Sequence, residues 1–467
     1  MKYLLTTVVA FVMAGTTFQL LPTSFLKATT TMQERQVDRK KAKKMQSNGN
    51  WAEAYEVFHE LVLDESNDDK QLSDDLTSAV NCLNQLGRIK EFDDFFEQAI
   101  QQHAKNPVLL YSAAKLLGGG QVPAYGFLIG GEFERGHHRG GGKGANVDER
   151  DRIRAIQLTL QALAAFEADE NSSVKQKADT WELLAGQIGK EAFAEPWKLQ
   201  QLTNLVELPD PADGQGITWY GRGFRGRGYF TNKVRGPGYS TNKGAPVDAA
   251  GKPVLHQIPE SWEAAISDGE RWRFALQQAA KIDSKRLSKL DLHWASFLIS
   301  QFGVSHRTVG NSPVPRRADH DQDNATQLWE PHLLTDDQTI ARLANGTKKL
   351  TLPAEFNHIT ILKSVIERED DQLVQALEAF VSIRMGRHQY PKAVELLKQR
   401  KALAKEKRQK KNVQARIDQI VNHWIQFQSV NVQPAGTAAT FEIRYRNGQQ
   451  VESVSYTHLT LPTICSV

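Results

Sequence analysis

Apolar residues recur every three or four positions along most of this chain, a spacing that confines each such stretch to one face of an amphipathic helix. Trp51, Ala54, Tyr55, Phe58, Leu61 and Val62 form the first set, Leu76, Val80, Leu83 and Leu86 the second, and Phe92, Phe95, Phe96, Ala99 and Ile100 the third. The same period resumes over Asp151–Phe166, Trp181–Leu208, Trp262–Ile282, Leu290–Phe302 and Ile359–Ala379, then through Phe380, Ile383, Tyr390, Ala393, Leu396 and Leu397. A mainly α fold is expected. Two segments break the period, residues 118–144 and residues 214–244, and both are dense in glycine. Each interior Gly costs a helix about 1 kcal/mol relative to Ala, so both are expected as loops.

Gly49 before Trp51 and Gly87 before Phe92 stand at the joints between the first helices, with Ala99 where two antiparallel helices must approach. This arrangement resembles a tetratricopeptide-type repeat, although Pro107 comes earlier than that repeat's proline and no copy carries the full set. The resemblance implies a tetratricopeptide-like helical solenoid with two glycine-rich loop inserts on one face. The resulting division is repeats over 29–117, helices with the inserts over 118–258 and further repeats over 259–432. Near the C-terminus the period changes to two. Phe441, Ile443 and Tyr445 alternate with polar residues, Asn447-Gly448 follows, and Val451 continues the alternation. This spells a β-hairpin with an Asn-Gly turn, a unit too small to stand alone. The closing residues, 454–467, do not continue the pattern and look like a translated sequencing adapter, so an artefactual tail is expected there.

The N-terminus reads as an export signal: Lys2, an apolar run from Tyr3 to Ala14, renewed apolar character from Phe18 to Leu26, and no acidic residue before Glu34. Residues 1–28 are thus a signal peptide or, if uncleaved, an N-terminal anchor and the chain's sole membrane contact. Periplasm or cell surface is the expected location. A net charge of +4 over 467 residues demands no nucleic acid and no anionic membrane. Two cysteines, Cys82 and Cys465, supply neither a disulfide framework nor a zinc site.

Candidate chemistry is sparse. In the first glycine-rich segment Lys143 precedes Gly144 rather than Ser or Thr, which fails the phosphate-loop pattern, and no strand signal precedes the glycines. In the second, Trp219, Tyr220, Arg222, Phe224, Arg225, Arg227 and Tyr229 interleave cations with aromatic rings. That combination stacks bases and neutralises phosphates, but it also builds loops tied by cation–π contacts. These residues are taken as partner-binding candidates, with protein rather than nucleic acid as the expected partner. Asp319, Asp321, Asp323 and Glu330 occupy positions 1, 3, 5 and 12 of a calcium loop. Asn324 replaces the turn glycine, and Pro313, Pro315 and Pro331 stand where helices should flank it, so a solvated acidic loop is the reading taken. His137, His138 and His306 lack helical ligand spacing. No nucleophile elbow or zinc-protease helix occurs, and neither catalysis nor a cofactor is expected.

Several phrases resemble the N-terminal helical region of large alpha-2-macroglobulin-like proteins of planctomycete-type bacteria: Arg135–Ala155, Lys243–Leu276, Leu352–Leu362, Gln389–Leu397, Ile417–Phe427 and Gln433–Val451. The resemblance implies an exported, broad-range protease-trapping protein whose later part holds macroglobulin-like β-sandwich domains, a bait region and in some members a Cys-Gln thioester. Residues 433–453 would start the first such domain, and the thioester motif is absent from this chain. The surviving portion would be a non-catalytic scaffold for partner binding or for positioning the trap, its target proteases reached through domains downstream. A free-standing periplasmic tetratricopeptide-type adaptor is the alternative, and RNA binding through the Arg/Gly/aromatic segment a third.

Overall fold

The computed structural model describes residues 32–67, 71–138, 140–213, 244–304, 330–428 and 442–450, with 308–309, 312–313 and 436. The described residues are mainly helical and divide into two units, 1–104 and 105–467.

In the first unit, α1 (Met32–Ser47) precedes α2 (Trp51–Leu63), α3 (Leu72–Leu86) and α4 (Phe92–Gln102), and these last three bury the apolar faces expected from their spacing. Gly87 ends α3 with φ of +67°, its N–H bonded to Asn84 O and that of Arg88 to Leu83 O. This paired closure suits glycine because it requires the left-handed region. The basic run after the N-terminal apolar segment belongs to α1, and it is two-faced. Arg39 turns inward to Asp75 at 2.6 Å and to Asn67 at 3.2 Å, while Lys40, Lys41, Lys43 and Lys44 stay exposed. Burial pushes the Asp75 carboxyl up, with Arg39 pulling the other way.

In the second unit, α5 (Pro107–Gly118) opens at Asn106, whose side chain accepts from the N–H groups of Val108 and Leu109. Pro107 is therefore a helix-opening residue. The segment 118–144 is not a loop. β1 (Tyr125–Ile129), β2 (Glu132–Arg135) and β3 (Lys143–Asn146) form an antiparallel sheet of order β2-β1-β3. Glycine here makes the turn: Gly130 and Gly131, at φ +62° and +97°, are the two-residue connection of the hairpin. Gly126 in the central strand permits close packing, since a Cβ there would meet Glu134 O at 2.1 Å. The other glycine-rich segment lies outside the described residues apart from Gly244.

Then come α6 (Asp148–Ala168), α7 (Val174–Ile188), α8 (Asp268–Ile282) and α9 (Leu287–Phe302). The helix expected over Trp181–Leu208 ends at Ile188, and the one expected from Trp262 begins at Asp268, where the Ser267 hydroxyl accepts from the N–H of Glu270. Residues 308–309 (β4) and 312–313 (β5) pair briefly, and β6 (Gln338–Leu343) and β7 (Gly346–Thr351) form a second hairpin. The pattern over Ile359–Ala379 is two helices, α10 (His358–Glu367) and α11 (Leu373–Gly386), broken near Glu369 with its φ of +52°. α12 (Tyr390–Ala402) and α13 (Lys407–Val421) follow.

The principal core of this unit centres on Trp272, Trp294, Phe297, Phe302 and Phe356. Arg273 crosses it between two rings, 4.4 Å from Trp294 and 5.1 Å from Phe356, and donates to His256 O. Facing rings and a carbonyl compensate the loss of water around that guanidinium.

Of the expected terminal hairpin, Ile443–Arg446 (β9) is a strand, antiparallel to Trp424–Phe427 (β8), while Phe441 and Val451 lie outside the described residues. Asn447, at φ +59°, donates from Nδ2 to Ile420 O at 2.7 Å and to Asn422 O at 3.2 Å. Its amide satisfies carbonyls that the end of α13 leaves without intrahelical partners.

Candidate functional site

A cleft of about 1720 Å³ opens in the second unit, between the start of α6, residues 188–213, the end of α9, His358 at the start of α10 and one side of α11. Its irregular wall, residues 201–209, has no ladder of its own and is fixed by side chains from two helices. Asp268 accepts the Thr203 N–H at 3.0 Å and the Thr203 hydroxyl, while its own N–H donates to Gln201 O at 2.7 Å. Arg271 donates to Thr203 O at 2.8 Å, Gln157 to Leu205 O at 2.9 Å and Arg150 to Pro209 O at 2.7 Å. Arg152 joins Thr203 Oγ1 to Glu149. Burial works against the Arg152 charge, yet Glu149 holds its pKa above the usual value.

The charges along the wall neutralise one another. Lys190 pairs with Asp148 at 2.8 Å, Lys198 with Glu191 and Glu195, and Arg271 with Asp268. Between them stand Phe193 and Trp197, 46% and 39% exposed. Apolar rings among pre-paired charges suit a polypeptide partner better than a polyanion, which needs a field of unneutralised cations.

At the inner end lies His358, first residue of α10, its backbone set by the Asn357 cap and its ring fully buried. Neither ring nitrogen has a partner. Burial, with Arg387 adding to it, lowers its pKa to about 3, so the imidazole is neutral at pH 7.

No family model, curated protein or solved structure matches this chain.

The partner-binding candidates Trp219, Tyr220, Arg222, Phe224, Arg225, Arg227 and Tyr229 lie outside the described residues, but Asp213 and Gly244, which bracket that segment, both line the cleft. Asp319, Asp321, Asp323 and His306 also lie outside them; Glu330 is exposed beside the short turn at Pro331. His137 meets the Tyr125 hydroxyl at 2.9 Å, and His138 stands 3.8 Å from Glu134, so both dress the first sheet. Among the described residues no three His, Cys, Asp or Glu side chains gather as metal ligands. Sequence reasoning missed the cleft. The sole local signal near its inner end was Asn357 as a helix start.

Proposed function

We propose that this chain is the helical scaffold of an exported, alpha-2-macroglobulin-like protease-trapping protein, non-catalytic, with a tetratricopeptide-like stacking of helices that leads into β-domains. The observation that carries this reading is the β8–β9 pair. Its register places Ile425, Phe427, Ile443 and Tyr445 on one face and Trp424, Gln426, Arg444 and Arg446 on the other. Ile425, Phe427 and Tyr445 are 50%, 60% and 57% exposed. Two strands with one apolar face need a covering layer to be stable, which the first strands of a sandwich would receive from the sheet that follows. Both strands fall within phrases that carry the family resemblance. Successive helices pack on one another within each unit, α2 on α3 in the first and α9 through α13 in sequence in the second, as a repeat array requires. Among the described residues no helix is long and apolar enough to cross a membrane.

The test is the full product of the gene, read past codon 453. A trap abolishes cleavage of a protein substrate by an added endoprotease while leaving cleavage of a small chromogenic peptide intact. A gene that encodes no β-modules after β9, or a product that leaves both activities unchanged, refutes the reading. The cleft, with its exposed Phe193 and Trp197 between paired charges, favours a second reading, a free-standing protein-binding adaptor. In that case the chain captures an envelope protein, and Phe193→Ser together with Trp197→Ser abolishes capture.

A further inference from the structure

Charge is spread very unevenly along this chain. From Lys398 to Lys411 the sequence holds eight Lys and Arg against one acidic residue, Glu406, a balance of +7 where the whole chain carries +4. These residues are the end of α12, the connection 403–406 and the start of α13, and the two helices pack on one another, so the cations gather at one tip. Arg400 is engaged by Glu378 at 3.2 Å, and Lys401 donates to Gln414 Oε1 at 2.6 Å. The other six, Lys398, Lys405, Lys407, Arg408, Lys410 and Lys411, are exposed, and among the described residues none pairs with a carboxylate.

Nothing within the tip offsets this concentration. Lys407, Arg408, Lys410 and Lys411 open α13, and its first turn holds no acidic residue. The macrodipole is positive at that end and disfavours them. Lys407 lies three and four residues from Lys410 and Lys411, and Arg408 three from Lys411, so like charges also face each other along the helix. Local rules broken together in one place point to a gain outside the fold. The complement that relieves both repulsions is an external anion.

The make-up of the tip selects which anion. Leu403 stands between Lys401 and Lys405, 41% exposed, and Ala402 beside it is exposed as well. No Phe, Tyr or Trp occurs between Tyr390 and Trp424, so the tip has no ring on which a base could stack. Five of the six unpaired cations are lysines, point charges rather than the planar forks that suit nucleic-acid recognition. We propose that the α12–α13 tip docks on an anionic phospholipid surface. Leu403 enters the boundary between headgroups and acyl chains, and the cations around it lie against the lipid phosphates. Clusters of about four to eight Lys and Arg are the size that anionic leaflets attract. The surface stands on these residues alone and holds whether or not the protease-trap reading does.

The experiment sediments the full chain with vesicles of phosphatidylcholine alone and with vesicles of equal parts phosphatidylcholine and phosphatidylglycerol. Tighter binding to the anionic vesicles is expected, weakening as salt is raised. Each cation at such a surface is worth about fivefold in partitioning, so Lys407→Gln, Arg408→Gln, Lys410→Gln and Lys411→Gln together are expected to weaken binding by about a hundredfold or more. Leu403→Ser is expected to weaken it by about fivefold. The fourfold variant, relieved of repulsion, is expected to melt in the absence of vesicles at or above the parent's midpoint. Equal binding to both vesicle types, as the apolar residues 1–28 acting alone would give, overturns the proposal. So does a fourfold variant that binds like the parent, or one that melts below it, which would make the cations structural. Tighter binding to a DNA duplex than to the anionic vesicles at equal phosphate concentration overturns the choice of a membrane.

Discussion

Asp151→Ala tests whether the buried ion pairs of this protein are desolvated to the degree their geometry requires. Arg135, on β2, donates to Asp151, on α6, through two parallel bonds of 2.7 and 2.9 Å, and to Pro123 O at 2.8 Å; the two side chains are 2% and 8% exposed. Removing the carboxylate strands a guanidinium between the sheet and the helix. The cost of such an uncompensated charge is about 3–5 kcal/mol, against about 0–1 kcal/mol for a surface pair. Replacing both partners together, Arg135→Met with Asp151→Leu, removes the charges and keeps the volume, so about 1 kcal/mol or less is expected. Guanidinium unfolding followed by tryptophan fluorescence reads this unit well, because Trp51 is the one tryptophan in the first. A 4 kcal/mol loss moves the midpoint down by about 1 M. A single variant within 0.2 M of the parent would mean that water reaches the pair; a double variant as damaged as the single would mean that the charges themselves stabilise the fold. The first result refutes the burial argument and the second the argument from desolvation.

Gly126→Ala places a Cβ against Glu134 O and the Phe133 ring and is expected to cost about 1–3 kcal/mol, read as loss of amide-exchange protection across β1–β3. His358 and His256 titrate near 3 and 4 in the folded chain against 6.5 when unfolded. The unfolded chain therefore binds more protons below pH 6.5, and stability falls with acid from there to about pH 4 by up to about 1.4 kcal/mol per unit for each ring. His358→Leu is expected to reduce that slope, and an unchanged slope in denaturant titrations contradicts the assignment. Ile425→Ser with Phe427→Ser is expected to lower binding of an apolar fluorescent dye at least twofold while leaving helical circular dichroism intact; unchanged dye binding means the β8–β9 face is covered.

How much of this was legible in the sequence depended on how local its cause was. The faces of α2, α3 and α4 were readable from Trp51 to Ile100 because a helix carries its period in every turn. Residues 118–144 misled because glycine was read as a helix breaker alone. The two glycines at 130–131 flanked by Tyr125–Ile129 and Glu132–Arg135 are also a hairpin signature, and the strands on either side were short. Ser267 followed by Glu270 marked the true start of α8, but the spacing of Trp262 and Ile266 extended the pattern past it. The partner of β9 was not readable at all. Strand pairing is a contact at a distance, and no local signal said that the Asn447 side chain reaches the end of α13. Arg387 carries no sign of its burial in the sequence. Nothing in its neighbours along the chain indicates that Thr335 and Asp336, brought in from the approach to β6, seal it from water.

The amide of Asn447 has a mechanical consequence. By holding two carbonyls at the end of α13 it stitches the last described strand to the axis of the helix preceding β8, so the strand pair inherits the direction of that helix. A pull reaching β9 from its C-terminal end would meet the two hydrogen bonds of Asn447 before the ladder that joins β9 to β8. Aspartate in that position, with no N–H to offer, would turn the joint into a swivel.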